Sequence, residues 1–394
     1  MAGALAGLKV LDFTTLLPGP YATMYLADMG ADVLRIISGS RPDVMDFLPP
    51  FIPGTKLSAV SALLGRNKKV MTLNLKDPRA VKVIHQLLAE YDIVIEQFRP
   101  GVMAKLKLDY QSLKAVNPRV IYCSLTGYGQ TGPMRDRAGH DINYIALSGV
   151  ASYSGKKDSG PALMGIQVAD VASGSNNAII GILAAVIYRQ NTGKGQYIDI
   201  SMTDGMIALN AMQGAAFLVD GKEPEREETL VNGGSLYDYY ETKDGRYVSF
   251  GGVEPQFFNA FCQTIGRPDL AAEGVAPKEC AKIKEEVREI IKAKTLDEWV
   301  TLFNTTDACF EPVLTLSEVL GGRLVQERGM VVDVPGPGGI KVKQIANPIR
   351  FSDSPTEYRH IGIPVTEANT KDIMMSLGYT EAEIEEFAKT GLFK

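Results

Sequence analysis

The sequence predicts an α/β protein: a doubly wound, mostly parallel, Rossmann-like sheet with a second, smaller α+β domain. Short apolar runs alternate with helical stretches through the first half of the chain. A charged run holding one proline, residues 220–228, breaks that alternation, and a hairpin signal with further helices follows it. At 394 residues the chain exceeds one ordinary core, so the expected division is 1–219 for a large domain, 229–330 for a small one and 331–394 for a return to the first.

The first unit of the pattern is a strand at 8–13, a proline-glycine turn at 15–20, a helix at 21–29 stopped by Gly30, and a strand at 32–37. Strand, helix, strand in that order gives two parallel strands with a right-handed crossover. The pattern repeats with a strand at 69–75, a helix at 78–91 with Pro78 in its first turn, and strands at 92–96 and 119–125. Two apolar helices, 173–189 and 202–218, flank a strand at 195–200. The 220–228 run reads as a solvated linker. Beyond it, strands at 236–242 and 246–250 meet around Asp244-Gly245, and helices are expected at 255–265, 280–294, 296–303 and 381–389.

Composition narrows the function. A formal net charge of -5 and a pI near 5.5 argue against nucleic-acid binding, which needs a basic field. Cys123, Cys262, Cys280 and Cys309 form no CxxC pair, so neither a metal site nor a disulfide framework is expected. No signal peptide and no uncharged apolar run of membrane-spanning length is read, so the expected location is cytoplasmic, with no membrane partner. Asn304-Thr305-Thr306 is then a chance sequon.

Two motifs are decoys. Gly127-Tyr128-Gly129-Gln130-Thr131-Gly132 fits GxGxxG after a strand, but Pro133 and Arg135-Asp136-Arg137 stand where an apolar helix should start. Lys389-Thr390-Gly391 lacks the serine motifs that accompany it in serine acyl enzymes. The basic residues Arg35, Arg66, Lys68, Lys69 and Arg99 fall at or near strand ends, where a converging cluster can hold a phosphorylated nucleotide, although 66–69 also reads as a solvated turn. His140, in Gly139-His140-Asp141-Ile142-Asn143-Tyr144, is one of three histidines; Asp170 precedes a long apolar helix; Glu254 precedes Pro255. Each also has a bland reading, as a core histidine or as acids at helix starts.

Taken together, Leu17-Pro18-Gly19-Pro20, Leu26-Ala27-Asp28-Met29-Gly30-Ala31, Phe98-Arg99-Pro100-Gly101-Val102, Leu125-Thr126-Gly127-Tyr128-Gly129 and 191–196 resemble the signature set of the class III CoA-transferase superfamily. Within it, the His140 motif, Glu254-Pro255-Gln256-Phe257 and 307–313 resemble the α-methylacyl-CoA racemase branch. The resemblance implies catalytic bases His140 and Asp170, Glu254 hydrogen-bonded to His140, Arg35, Arg66 and Arg99 near the CoA phosphates, and an interlocked homodimer. Lys69 and Tyr144 complete the expected substrate-binding set. No separate cofactor is implied, because coenzyme A enters as part of the acyl-CoA substrate. Two elements depart from the pattern: Arg35-Ile36-Ile37-Ser38 replaces a strand ending in valine-glutamate, and Glu367-Ala368-Asn369-Thr370 replaces a glycine-acid-histidine-threonine element.

The expected reaction is racemisation of a 2-methylacyl-CoA thioester through an enolate, with backbone amides near Asp170 holding the enolate charge and either burial or the bound substrate offsetting the acidifying helix start. Met164, Met202, Met206 and Met212 are read as helix core before acyl surface. The alternative is CoA transfer through an Asp170 anhydride, and a further one is acyl-CoA binding without reaction.

Overall fold

The computed structural model describes residues 3–39 and 42–394. Six parallel strands form one sheet: β1 Lys9–Phe13, β2 Asp32–Ile37, β3 Lys68–Thr72, β4 Ile93–Glu96, β5 Ile121–Thr126 and β6 Tyr197–Ser201, in the order β3-β2-β1-β4-β5-β6. The expected doubly wound fold is therefore present, and its connections reverse direction between β1 and β4. Ligands of such sheets bind beyond the carboxyl ends of the strands at that reversal. The loops there are tied together, since the Gly19 N–H donates to Gln97 Oε1 at 3.1 Å. Gly19 has to be glycine: a Cβ there would lie 2.3 Å from Thr14 Cβ.

Side chains alternate across the sheet. Leu11, Phe13, Leu34, Ile36, Met71, Val94 and Tyr122 build a core under helix Pro78–Leu87 and the chain's last two helices, Thr370–Ser376 and Glu381–Lys389. Helices Pro18–Asp28 and Asn176–Thr192 pack together on the other face. The C-terminal return also covers the edge strand, because Asn369 Oδ1 and Thr370 Oγ1 accept from the Val70 and Thr72 N–H groups at 3.0 Å each.

The boundaries differ from the expected ones. One unit comprises Met1–Ile145, Ile166–Leu209 and Arg323–Lys394, and the other Ala146–Gly165 and Asn210–Gly322. The segment 146–165 belongs to the second unit because Lys156 pairs with Asp238 at 2.8 Å and Glu227 at 3.1 Å, while Arg226 donates to the Ser154 and Ala151 carbonyls. Arg226 and Glu227 thus anchor chain; they are not a solvated linker. The expected helix at 202–218 is two helices, Met202–Ala208 and Gln213–Asp220, with the unit boundary between them.

In the second unit, β7 Asp238–Glu241 and β8 Tyr247–Phe250 form the expected hairpin, with Gly245 at φ 70°, and β9 Phe310–Pro312 adds a third antiparallel strand. Its core stacks Phe250 on Phe261 and Phe303 on Phe310, both with ring centroids 3.8 Å apart.

The apolar helix starts earlier than 173. A π-helical turn, Ala169–Ser175, runs straight into Asn176–Thr192. Joined, the 24 residues Ala169–Thr192 are long and apolar enough to cross a membrane, which corrects the expectation that no run reaches that length; the most apolar stretch is 44% buried in the fold.

Candidate active site

Asp170 sits in the π-helical turn, and small residues explain that turn. Ala169, Ala172, Ser173 and Gly174 let helix Met202–Ala208 approach closely: the Ser173 hydroxyl donates to the Met202 carbonyl, and a Cβ on Gly205 would lie 2.0 Å from Ser173 Oγ. The Ser175 hydroxyl lies 2.7 Å from the Pro18 carbonyl of the neighbouring helix and 3.1 Å from the Asp170 carbonyl within the turn. Wide turns of this kind cluster at functional sites.

His140 closes the loop that leaves β5. The Tyr144 hydroxyl donates to the Gly139 carbonyl at 2.6 Å, Asn143 Oδ1 accepts from the His140 N–H at 3.0 Å, and helix Asp141–Leu147 follows. Glycine is needed at both ends of this loop. A Cβ on Gly139 would lie 2.5 Å from the Tyr128 hydroxyl, and one on Gly127 would lie 2.5 Å from the Tyr144 ring. The exposed His140 thus stands on a rigid turn wedged by two tyrosines whose rings meet edge-on, 5.3 Å apart.

The two segments meet through Asp141. Its Oδ1 accepts from the Asp170 N–H at 3.0 Å. The Asp170 carboxyl is pushed up to about 6, first by burial and then by the Asp141 charge, while His140 pulls it down. Burial therefore overrides the acidifying helix start, as expected. The expected set of enolate donors shrinks, however, because the Asp170 amide is engaged by Asp141 and the Val171 amide by the Gln167 carbonyl. Tyr144 is buried, its hydroxyl is spent on Gly139, and burial followed by the nearby Asp170 raises its pKa; it supports the turn from behind.

The basic residues do not converge as expected. Arg66 is fully buried: its Nε and Nη2 donate to both oxygens of Asp28 at 2.9 and 2.6 Å, and Nη1 donates to the Ile345 carbonyl at 2.6 Å. A guanidinium so spent joins the C-terminal return to the sheet and has nothing left for a phosphate. Lys69 lies toward the amino end of β3, paired with Asp32 at 3.0 Å, on the edge opposite the ligand-binding loops. Arg35 donates to Asp43 at 2.8 Å, and the same Asp43 oxygen accepts from the N–H of Leu16, whose φ is 62°. Arg35 therefore braces the loop after β1. Lys68 is buried against Asp12, Thr23 and the Pro20 carbonyl, and burial pushes its pKa down to about 8. Arg99 alone of the set is exposed in the loop after β4 without a side-chain partner among the described residues, beside a cavity of about 260 Å³ lined also by Glu96, Tyr110 and Tyr197.

Glu254 is in the second unit, exposed at the start of helix Pro255–Thr264, whose amides its side chain does not cap. Met202 and Met206 are buried core, whereas Met164 and Met212 are exposed. Among the described residues no group of three or more His, Cys, Asp or Glu is placed to hold a metal ion. Sequence reasoning missed Asp141 as a partner of Asp170.

Residues 5–370 match the family model described as CoA-transferase family III. The chain is 34% identical over 390 residues to α-methylacyl-CoA racemase of Homo sapiens, spanning 97% of this chain and 95% of that one. It is 31% identical over 398 residues to succinyl-CoA:glutarate CoA-transferase of Mus musculus, spanning 99% and 90%. The crystal structure of a CAIB/BAIF family protein from Brucella suis superposes with a TM-score of 0.83 at 29% identity, covering 96% of this chain and 100% of that one. A reactive-looking carboxyl at a π-turn, on a sheet of the matching topology, agrees with these likenesses, and the chain belongs to CoA-transferase family III.

Proposed function

We propose that the chain is a racemase of 2-methylacyl-CoA thioesters that removes and returns the α-proton through an enolate. One observation carries the reading: the Asp170 carboxyl is pushed up to about 6 by burial and by Asp141 while His140 pulls it down, so an imidazole and a carboxyl suited to accept and return a proton share one neighbourhood. Starting from neutral His140 and protonated Asp170, the imidazole takes the α-proton, the C–H electron pair moves onto the thioester oxygen, and the carboxyl returns a proton to the opposite face. The other enantiomer starts from imidazolium and carboxylate. Both starting states hold the same number of protons, so the site needs no net proton uptake in either direction. The enolate charge falls to amides of these two turns other than those of Asp170 and Val171.

The CoA phosphates are assigned to Arg99. In the homodimer that belongs to this proposal, each site joins the large domain of one chain to the small domain of the other, and Glu254 orients His140. Support comes from helix Asn176–Thr192, where Ile180, Ile187 and Tyr188 are 63%, 59% and 43% exposed, an apolar stripe that a second chain would cover.

A second reading draws on the likeness to the mouse transferase. Asp170 would attack the thioester carbonyl and expel the CoA thiolate, which attacks the Asp170 carbonyl of the resulting anhydride and releases the donor acid. The acceptor carboxylate then displaces the thiolate to form a second anhydride, whose acceptor carbonyl the thiolate attacks to give the new thioester and free Asp170. Incubation of one enantiomer of a 2-methylacyl-CoA in deuterated water, with no acceptor acid, separates the two. The racemase exchanges the α-proton and loses optical purity. A transferase shows neither change and moves CoA once an acid is added.

A further inference from the structure

Asp141 is left without a task by the reaction as proposed, yet its backbone adjoins one proposed base and its side chain holds the backbone of the other. Its peptide follows His140 directly, and its Oδ1 accepts from the Asp170 N–H at 3.0 Å. The turn behind it is immobilised by Tyr144 on the Gly139 carbonyl and by Asn143 on the His140 amide. We propose that Asp141 is the positioning residue of the site: one hydrogen bond fixes the Asp170 turn to the His140 turn, so the imidazole and the reacting carboxyl keep their separation in the field of a third, non-reacting carboxylate. The inference rests on reading Asp170 as the reacting carboxylate.

Charge makes this arrangement more than a helix cap. An asparagine, or a serine with a shorter reach, would still offer the Asp170 amide an oxygen, whereas an aspartate sets a second negative charge beside the carboxyl that has to accept a proton. Like charges at close range disfavour ionisation, so the Asp141 carboxylate strengthens Asp170 as a base. The groups acting on Asp170 are burial, Asp141 and His140. Asp28 on helix Pro18–Asp28, Asp199 on β6 and Asp204 on helix Met202–Ala208, the elements packed around the turn, do not act on it. Tyr144, whose pKa burial and then Asp170 raise, lies behind the His140 turn near Asp141, with the Tyr128 ring against its own.

The test compares Asp141→Asn and Asp141→Ser, which keep a capping oxygen without the charge, with Asp141→Ala, which removes both. The Asp170 carboxyl is followed by carbon NMR of aspartate-labelled full-length protein, with no substrate present. In the asparagine and serine variants its midpoint should fall by about half to one pH unit, the size of one neighbouring charge, and the acidic limb of the α-proton exchange profile should move down with it. Asp141→Ala should in addition lose about 10- to 100-fold in exchange kcat at the optimum with little change in KM, as expected of a misplaced reacting group. A midpoint and profile unchanged in both uncharged variants would overturn the proposal, because a purely structural cap moves neither. A midpoint shifted in the variants, with no α-proton exchange by the wild-type protein, would instead count against the racemase reading and leave the tie between Asp141 and Asp170 standing.

Discussion

Lys156 Nζ lies 2.8 Å from both carboxylate oxygens of Asp238, and this ion pair holds the segment 146–165, which lies between His140 and Asp170 in sequence, on the second unit. Lys284 reaches the same carboxylate at 2.9 Å and is itself buried. Burial raises the Asp238 pKa, but the hydrogen bonds from Lys156 and Lys284 outweigh it and hold the carboxyl below its ordinary value. A depressed folded-state pKa contributes stability above the unfolded value of about 3.9 and loses it as pH falls through the lower folded value. Protection of 146–165 from proteolysis should therefore persist to about pH 4 and fade below it. Asp238→Ala leaves Lys284 buried without its counter-ion and should cost about 3–5 kcal/mol. Lys156→Ala, at a half-exposed site, should cost less, about 1–2 kcal/mol, and should speed cleavage within 146–165. Denaturation midpoints and limited proteolysis measure both.

Arg66 and Arg99 should separate cleanly. Arg66→Ala removes a buried guanidinium from both oxygens of Asp28 and should destabilise the protein by about 3–5 kcal/mol. Arg66→Lys should recover only part of this, since an ammonium cannot reproduce the paired geometry. Arg99→Ala should leave the melting temperature within a degree or two and raise KM for acyl-CoA about tenfold, the loss of one charge-assisted hydrogen bond. Calorimetry and steady-state kinetics on the two variants check the assignment.

Gly205→Ala tests the packing under the π-turn. The new Cβ would stand 2.0 Å from Ser173 Oγ, which already bonds the Met202 carbonyl, so either the helix or the turn has to shift. A cost of about 1–3 kcal/mol is expected, with a fall in kcat that outlasts correction for the unfolded fraction, because Asp170 rides on the displaced turn. A variant with normal kcat per folded molecule would detach the turn's geometry from catalysis.

The exposed stripe of Ile180, Ile187 and Tyr188 predicts a dimer in detergent-free buffer. Light scattering should give twice the 42.7 kDa chain mass, and Ile187→Glu should shift that mass toward the monomer, since a charge in an apolar interface is left unpaired.

The fold was legible in the sequence because strand and helix periods alternate cleanly through the first 126 residues, and the β1 to β5 positions follow from that alternation. The small domain's hairpin was legible from Asp244-Gly245. What stayed hidden depends on pairings distant in sequence. Arg66 looks like a surface turn residue until Asp28 and the Ile345 carbonyl, which closes in from the C-terminal return, are placed around it. Residues 220–228 look like a linker because charge in a sequence does not say that Arg226 and Glu227 reach back to 146–165. His140 and Asp170 were proposed as bases from motif resemblance, but the tie through Asp141 was not legible, since no periodicity links an aspartate to an amide far along the chain. The π-turn had a local signal in the small residues Ala169-Asp170-Val171-Ala172-Ser173-Gly174-Ser175, which permit close helix approach without dictating the wider turn.

The central claim is that two bases work from opposite faces of one carbon, and removing them singly tests it most directly. His140→Gln and Asp170→Asn are each incubated with the separate enantiomers of a 2-methylacyl-CoA in deuterated water, and deuterium entry at the α-carbon is followed together with optical purity. Each variant should lose racemisation by about 10²–10⁴-fold while still exchanging the α-proton of one enantiomer with retention, and the two variants should favour opposite enantiomers. Equal loss on both enantiomers in both variants, or full racemisation without His140, would contradict a two-base site.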